Sequence, residues 1–216
     1  MNHRSEMFAL QSVEGFLGGE ELSRLNKIMD GEAAAWEPEI HAAVLPAPAL
    51  AVDILNQAMT RALPTIQRAM PSIADAASWA YTHLSAGQEI PANLDGILDP
   101  AVAPARVGRI GVVISEADEG GRFSLEPPTE EALRAGGHPD GSEQVRVARR
   151  PVAGPLSYGS DPSATPSLVR TRWTCYAGPG VAIAYGARLV SGVSPVRRGV
   201  LRTFVGDLID TPLPTS

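Results

Sequence analysis

The chain has 216 residues, of which 44% are hydrophobic and 19% are charged. This composition is typical of a globular protein and excludes a wholly disordered one. The net charge of −6 argues against a nucleic-acid partner, because binding to phosphates requires a basic face, and it favours a small-molecule substrate. A chain of this length buries roughly 70% of its unfolded surface as one domain, so we predict a single domain over residues 1–216.

Cys175 is the only cysteine, which excludes an intrachain disulfide and a cysteine-based metal site. The segment MNHRSEMFALQ lacks the apolar run of a signal peptide, and no stretch reaches the roughly 18 apolar residues of a membrane span. We therefore expect a cytoplasmic protein with no membrane partner. A homodimer is left open.

Two apolar patterns with the helical period lie in the first third of the chain. The first predicts a helix near 19–30, between glycines that act as stop signals. The second covers 49–70, with Pro64 as a kink or junction. Residues 1–75 are therefore predicted to be mainly helical.

From Ser78 the hydrophobic period changes to two, as in the segment SWAYTHLS, which is the repeat of a β-strand. The strands alternate with Gly/Pro turns and leave no room for crossover helices. The predicted fold class is therefore α+β, with an antiparallel jelly roll over 76–208 packed beside the N-terminal helices. The predicted strands span 78–85, 86–92, 106–115, 121–126, 168–177, 180–193 and 199–206.

Residues 127–167 form a long segment rich in Pro, Gly and charged residues. An irregular segment of this length inside a compact domain is either functional, as a lid or binding loop, or disordered. Both alternatives stay open.

Five short segments follow one another in the β-rich part. They are GQEIPANLDG, RVGRIGVVIS, GGRF, GPG and LVSGVSPVRRGVLRTF. In this order they resemble the prolyl-hydroxylase-like branch of the iron/2-oxoglutarate oxygenases, over residues 78–208. The resemblance implies that the jelly roll is a double-stranded β-helix.

In that family the first segment carries His-x-Asp and the last carries His-x-Val-x-Pro-Val-x-x-Gly, and together they form a two-histidine, one-carboxylate Fe(II) site. The resemblance puts Asn93 and Ser191 at the two histidine positions, and only Asp95 matches. Amide and hydroxyl oxygens bind Fe(II) more weakly than imidazole nitrogen does. We therefore expect no metal and no cofactor, with both the iron and the 2-oxoglutarate sites lost.

Arg202 lies near the position of the arginine that anchors 2-oxoglutarate in this family, commonly two residues beyond the last glycine of the motif. Here Arg202 lies three residues beyond Gly199. One extra residue in a strand turns a side chain to the opposite face unless a bulge restores it. Arg202 is either a displaced anchor or a surface residue.

Two side chains are candidates for catalysis. The resemblance implies that Asp95 points into the mouth of the barrel, where burial without a metal would raise its pKa and make it an acid or base. His83 lies ten residues before Asn93, where some members of the resembled family have a tyrosine that contacts the cosubstrate, and it is the proposed partner of Asp95 because an imidazole both accepts and donates a proton near pH 7. The alternatives are a turn-forming role for Asp95 and a packed or surface position for His83.

Further candidates are polar and aromatic residues expected to contact substrate, with core packing or solvent exposure as the alternative for each. They are Asn93, Ser191, Tyr81, Trp79, Trp173, Arg202 and Arg122.

These features predict a metal-independent, non-oxidative enzyme on an oxygenase scaffold that works by positioning and proton transfer. With Lys27 as its only lysine, the chain has the composition of a protein from a high-GC bacterium. Such an origin favours a cyclase that closes a ring or spiroketal in a polyketide-like intermediate. The alternatives are an atypical Fe(II)/2-oxoglutarate dioxygenase that recruits His83, and a non-catalytic small-molecule-binding protein.

Overall fold

A computed structural model describes residues 5–33, 44–94, 105–128 and 172–211. The predicted catalytic residue Asp95 lies outside the described residues. So does all but the first two residues of the predicted 127–167 insertion.

The two predicted helices are present as α1 (Gly19–Ala33) and α2 (Ala49–Ile66), preceded by a 3-10 turn at Glu6–Phe8. The start of α1 is capped by Glu21, whose carboxylate accepts the Gly18 N–H at 2.9 Å. One face of α2 is buried along its whole length. Pro64 lies in its last turn, so the predicted junction is the end of the helix and not a kink within it. Neither described helix combines the length and apolar character needed to cross a membrane.

Twelve strands are found in the described part of the chain. They are β1 (Leu10–Val13), β2 (Val44–Pro46), β3 (Asp75–Ser85), β4 (Ile90–Leu94), β5 (Arg106–Ser115), β6 (Glu119–Gly120), β7 (Phe123–Glu126), β8 (Trp173–Cys175), β9 (Ala182–Gly186), β10 (Val190–Val193), β11 (Val196–Arg198) and β12 (Val200–Ile209).

All strand pairs found in the described residues are antiparallel. The main sheet has six strands in the order β1-β9-β5-β12-β3-β2, and the second sheet has four in the order β4-β10-β7-β8. Strands β11 and β6 form a two-stranded ribbon. The described part of the chain is thus mostly antiparallel sheet with two α-helices.

Two details differ from the sequence prediction. The mainly helical part, 1–75, also supplies the short edge strands β1 and β2 of the main sheet. The single strand predicted over 180–193 is two strands in different sheets, β9 and β10, separated by a turn that begins at Ala187. At this corner the backbone of Gly186 packs so closely on Met7 that a Cβ atom would lie 2.2 Å from the Met7 carbonyl carbon.

The main sheet has one face covered by helices and one face that turns toward the second sheet. Alternate residues of each strand point to opposite faces, so Trp79 and Tyr81 of β3 pack in the core with the helices, and Phe204 of β12 joins them. Burying one such aromatic side chain stabilises the fold by roughly 1.5–3 kcal/mol. The intervening residues Ala80 and Thr82 face the other way, toward a cavity between the two sheets.

Candidate functional site

A cavity of about 510 Å³ lies between the main sheet and the second sheet. Strands β3, β5, β9 and β12 supply the wall on the main sheet, and β4, β7, β8 and β10 supply residues of the second sheet. A space of this volume accommodates a small organic molecule. The cavity is therefore the candidate functional site.

The wall formed by the main sheet changes character in steps along β12. Residues 201 to 207 extend over roughly 20 Å at the rise of a β-strand. The first step is Leu201, whose register partner Leu84 is buried beside it and does not line the cavity. Because β3 and β5 flank β12 in register, each further step is a pair of neighbouring side chains. These pairs are Thr82 with Thr203, Ala80 with Val205, and Arg109 with Asp207.

The charged step contains a carboxylate shared by two arginines. Asp207 Oδ1 accepts a hydrogen bond from Arg109 Nε at 3.1 Å and another from Arg106 Nη1 at 3.1 Å. All three side chains are at most one-quarter exposed, so their attraction is screened less than that of a surface pair. Arg109 and Asp207 both line the cavity, and Tyr185 lies opposite Arg109 on β9. The arrangement holds a guanidinium in place where it can donate hydrogen bonds to a ligand oxygen.

Asn93 and Ser191 are register partners on β4 and β10, and both line the cavity. Ser191 is only 9% exposed, whereas Asn93 is open to solvent. The two positions where the resembled family carries its histidines are therefore neighbours in space. They offer an amide and a hydroxyl to whatever occupies the cavity.

The described residues do not fit a two-histidine iron site. His83 is the only histidine among them, and it lies on the face of β3 opposite the residues that line the cavity. The described ranges contain no group of three His, Cys, Asp or Glu side chains placed to hold a metal ion. Asn93 and Ser191 offer only weak ligands for Fe(II).

The predicted pocket residues Trp79, Tyr81 and His83 need correction, because they lie on the helix-covered face of the main sheet and do not line the cavity. Trp79 donates its indole N–H to Asn56 Oδ1 of α2 at 2.9 Å. Burial raises the pKa of Tyr81 to about 12. Burial, followed by the charge of Arg202, lowers the pKa of His83. The cause of the error is the two-residue repeat itself, which puts all three side chains on one face.

Arg202 also points away from the cavity. It is the register partner of His83, and its Nη1 atom lies 2.6 Å from Asp30 Oδ1 of α1. In this structure Arg202 therefore does not line the cavity, and its side chain is half-buried under the helices instead of lying on an open surface. Leu201, two residues beyond Gly199, lines the cavity in its place.

Arg122, a predicted substrate-contacting residue, is exposed and lines the rim of the cavity, and its contact with substrate stays a prediction. Its guanidinium carbon lies 4.7 Å above the centre of the Tyr176 ring, an arrangement that attracts cation to ring. Tyr176 itself is 75% exposed and also lines the cavity. Trp173, on β8, is 41% exposed and does not line the cavity. Its predicted role as a pocket residue is therefore not supported.

Sequence reasoning missed the residues that make the wall polar, Thr82, Thr203, Arg109 and Asp207. The signal was present in the alternation of β12, where Leu201, Thr203, Val205 and Asp207 share one face. The aromatic residues of β3 lie on the opposite face of the main sheet, which packs against the helices.

Several solved structures resemble this fold. A Pseudomonas putida prolyl-4-hydroxylase superposes with a TM-score of 0.58 at 13% identity, covering 95% of this chain and 94% of that one. The epimerase SnoN from nogalamycin biosynthesis, solved with Fe3+, alpha ketoglutarate and nogalamycin RO, gives 0.58 at 13% identity, covering 96% and 81%. An oxidoreductase of the 2OG-Fe(II) oxygenase family from Burkholderia pseudomallei gives 0.53 at 15% identity, covering 94% and 85%.

No protein-family model matches the chain, and no curated protein is significantly similar to it in sequence. At 13 to 15% identity, the structural likeness shows a common fold. That fold is the one found in the iron/2-oxoglutarate oxygenases.

Proposed function

We propose that this protein is a metal-independent, non-oxidative enzyme built on an oxygenase fold whose two sheets form a double-stranded β-helix. Its reaction is a cyclisation, the closure of a ring or spiroketal in a polyketide-like intermediate. The observation that carries the proposal is the pairing of Asn93 with Ser191 in the cavity, at the positions where iron-binding members have histidine. The Leu201 side chain supports it, because an apolar group stands where those members bind a carboxylate.

The chemistry required is positioning and proton transfer. A substrate hydroxyl attacks a ketone carbon, a C–O bond forms, and the carbonyl π bond breaks. The hydroxyl proton passes to a base and a proton is returned to the former carbonyl oxygen, giving a cyclic hemiketal of unchanged mass. Attack by a second hydroxyl with loss of one water then completes a ketal. Holding both ends of a chain in a reactive arrangement lowers the entropy cost of closure.

Roles for individual side chains follow from chemistry and position. Asp95, two residues after Asn93 in the sequence, is the proposed acid or base. Asn93 and Ser191 are the proposed hydrogen-bonding partners of substrate oxygens. Arg109, held by Asp207, is suited to donate hydrogen bonds to a further oxygen of the substrate. His83 is not part of the proposal, since it lies beside Arg202 on the helix-covered face and does not line the cavity.

The proposal is tested with protein purified in the presence of a chelator and incubated with synthetic dihydroxyketones. We expect a cyclic isomer, or a product lighter by one water, at a rate that added Fe(II) and 2-oxoglutarate do not change. Asp95→Asn should abolish turnover while the thermal unfolding curve stays the same. Full activity in that variant removes Asp95 from the mechanism, and dependence on Fe(II), oxygen and 2-oxoglutarate rejects the proposal.

An Fe(II)/2-oxoglutarate dioxygenase is the second candidate, favoured by the fold, since SnoN was solved with Fe3+ and alpha ketoglutarate. Such an enzyme must draw its metal ligands from outside the described residues. It predicts stoichiometric iron in the purified protein and release of succinate. A protein that only binds its ligand predicts thermal stabilisation by that ligand with no chemical change.

A further inference from the structure

Two threonine hydroxyls lie side by side in the cavity wall. Thr82 of β3 and Thr203 of β12 are register partners, and both line the cavity. Side chains directly opposite one another on antiparallel strands have Cβ atoms about 4.5–5.5 Å apart. The two hydroxyls can therefore reach the same ligand group.

Neither hydroxyl is satisfied by the protein within the ranges that the structure describes, where no hydrogen bond joins Thr82 Oγ1 or Thr203 Oγ1 to another protein group. Thr82 is only 3% exposed. The Thr82 Oγ1 atom is not one of the fully buried polar atoms that lack a partner in the described residues, so it opens onto the cavity. Polar groups in protein interiors generally pair with other polar atoms. The partner of this hydroxyl therefore comes from the cavity, as water or as a ligand atom that displaces water.

The surroundings of the pair favour a neutral partner. The next step of the wall on one side is Leu201, which is 6% exposed and packs with the buried Leu84, and on the other side it is Ala80 with Val205. Arg109 is four residues along β5 from Val113, the register partner of Thr203, which corresponds to roughly 13 Å.

Two further arginines lie near the threonine pair, one next to Thr203 in the sequence and one at the rim of the cavity, but each contacts another group. Arg202 points to the other face of the sheet and pairs with Asp30, and Arg122 lies over Tyr176 at the exposed rim. A carboxylate bound at the threonines would be buried beside apolar side chains without a cation, which is strongly unfavourable.

We propose that Thr82 and Thr203 form a subsite for neutral oxygen, such as a ketone, a hydroxyl or the paired ether oxygens of a ketal, and that this subsite disfavours carboxylates. Each hydroxyl offers one donor and two acceptor lone pairs and rotates to suit the ligand. Two hydroxyls on adjacent strands match two oxygens attached to one carbon. This inference rests on the proposed function for its choice of substrate class and adds to it the recognition of the reacting oxygens.

The test compares two rigid probes by ligand-observed NMR titration. One is the unsubstituted spiroketal made of two six-membered rings that share a carbon, and the other is the hydrocarbon with the same ring skeleton. Thr82→Val and Thr203→Val remove the hydroxyls while conserving shape. Thr174→Val, at an exposed position on β8 outside the cavity, is the matched control. Thermal unfolding confirms that each variant is folded.

Each cavity substitution should lower the affinity for the spiroketal by roughly 2- to 12-fold, the range of one neutral hydrogen bond. The affinity for the hydrocarbon should stay the same or increase, and Thr174→Val should change neither affinity. Unchanged spiroketal affinity in the two cavity variants overturns the inference, as does lack of spiroketal binding to the wild-type protein at millimolar concentration.

Tighter binding of succinate or 2-oxoglutarate, lost on removal of the hydroxyls, would also overturn it by identifying an anion subsite. The proposed function fails by a different measurement, the requirement for iron in turnover. Turnover that requires iron, together with discrimination of the two probes through the threonines, would support the subsite and reject the metal-free mechanism.

Discussion

Arg202 and Asp30 form an ion pair on the helix-covered face of the main sheet, with 2.6 Å between Nη1 and Oδ1. The pair joins β12 to α1 and keeps the guanidinium out of the cavity. Asp30 is 62% exposed, so solvent screens the attraction. The ion pair therefore stabilises the fold only slightly, and neither of its residues lines the cavity.

We expect Asp30→Asn to lower the free energy of unfolding by at most about 1 kcal/mol, the range of exposed ion pairs. Arg202→Gln should leave the affinity of the spiroketal probe unchanged. Urea unfolding and NMR titration measure the two quantities. A large loss of ligand affinity in Arg202→Gln would show that the side chain reaches the cavity in solution.

The lowered pKa of His83 predicts how stability depends on pH. Burial, and then the charge of Arg202, hold its pKa below the ordinary value of 6.5, so the folded state favours the neutral ring. The stabilisation is fully present above pH 6.5 and is lost as the pH falls through the lowered pKa of the folded state.

Wild-type protein should therefore lose stability relative to His83→Gln between pH 7.5 and pH 5, as measured by urea unfolding at each pH. The other titrating groups are common to both proteins and cancel in the comparison. A difference that stays constant with pH contradicts the assignment. Since His83 lies off the cavity, the variant should keep its ligand affinity.

Gly206 has no room for a side chain. A Cβ atom there would lie 2.9 Å from Cε3 of Trp79, whose indole N–H is bonded to Asn56. Gly206→Ala should thus destabilise the fold by about 1–3 kcal/mol, the usual range for overpacking.

Gly111 provides the matched control, because it lies on the neighbouring strand, lines the cavity and has no atom within 4 Å of the added methyl group. Gly111→Ala should keep its thermal unfolding temperature and instead narrow the cavity. Equal destabilisation of the two variants would contradict the assignment of the two faces.

The carboxylate of Asp207, at the charged end of the wall, should contribute more to the free energy of unfolding than a surface ion pair does. Asp207→Asn removes the charge that accepts hydrogen bonds from Arg106 and Arg109. We expect a loss of about 1.5–3 kcal/mol, the range for bonds to charged groups. Urea unfolding of Asp207→Asn and of Asp30→Asn measures both losses of unfolding free energy. Equal losses in the two variants would show that solvent screens the cluster as it screens the surface pair.

Much of the architecture follows from hydrophobic period alone. The predicted strand 106–115 coincides with β5, and the predicted helix near 19–30 falls within α1. The corner between β9 and β10 was not predictable in this way, because 180–193 reads as one apolar run. The close approach of Gly186 to Met7, which marks that corner, depends on residues far apart in the sequence.

The site was predicted only in part. Asn93 and Ser191 line the cavity, and the resemblance of their segments to a known pattern identifies them in the sequence. The chemistry of Trp79, Tyr81 and His83 suggests a pocket, but their alternation along β3 places them on the helix-covered face, where Trp79 and Tyr81 are buried in the core. Small residues such as Ala80 and Gly111 line the cavity and leave space for a ligand. Alanine and glycine carry no functional group, so the sequence alone does not identify them as site residues.

The stepwise wall along β12 has a consequence for where a ring closes. A ligand turned end for end would place its oxygens against Leu201 and its hydrocarbon part against Arg109 and Asp207, which is unfavourable at both ends. One direction of entry is therefore preferred. Because that direction fixes which end of the substrate chain lies at the polar steps, ring closure at one position of the chain would be favoured over closure at another.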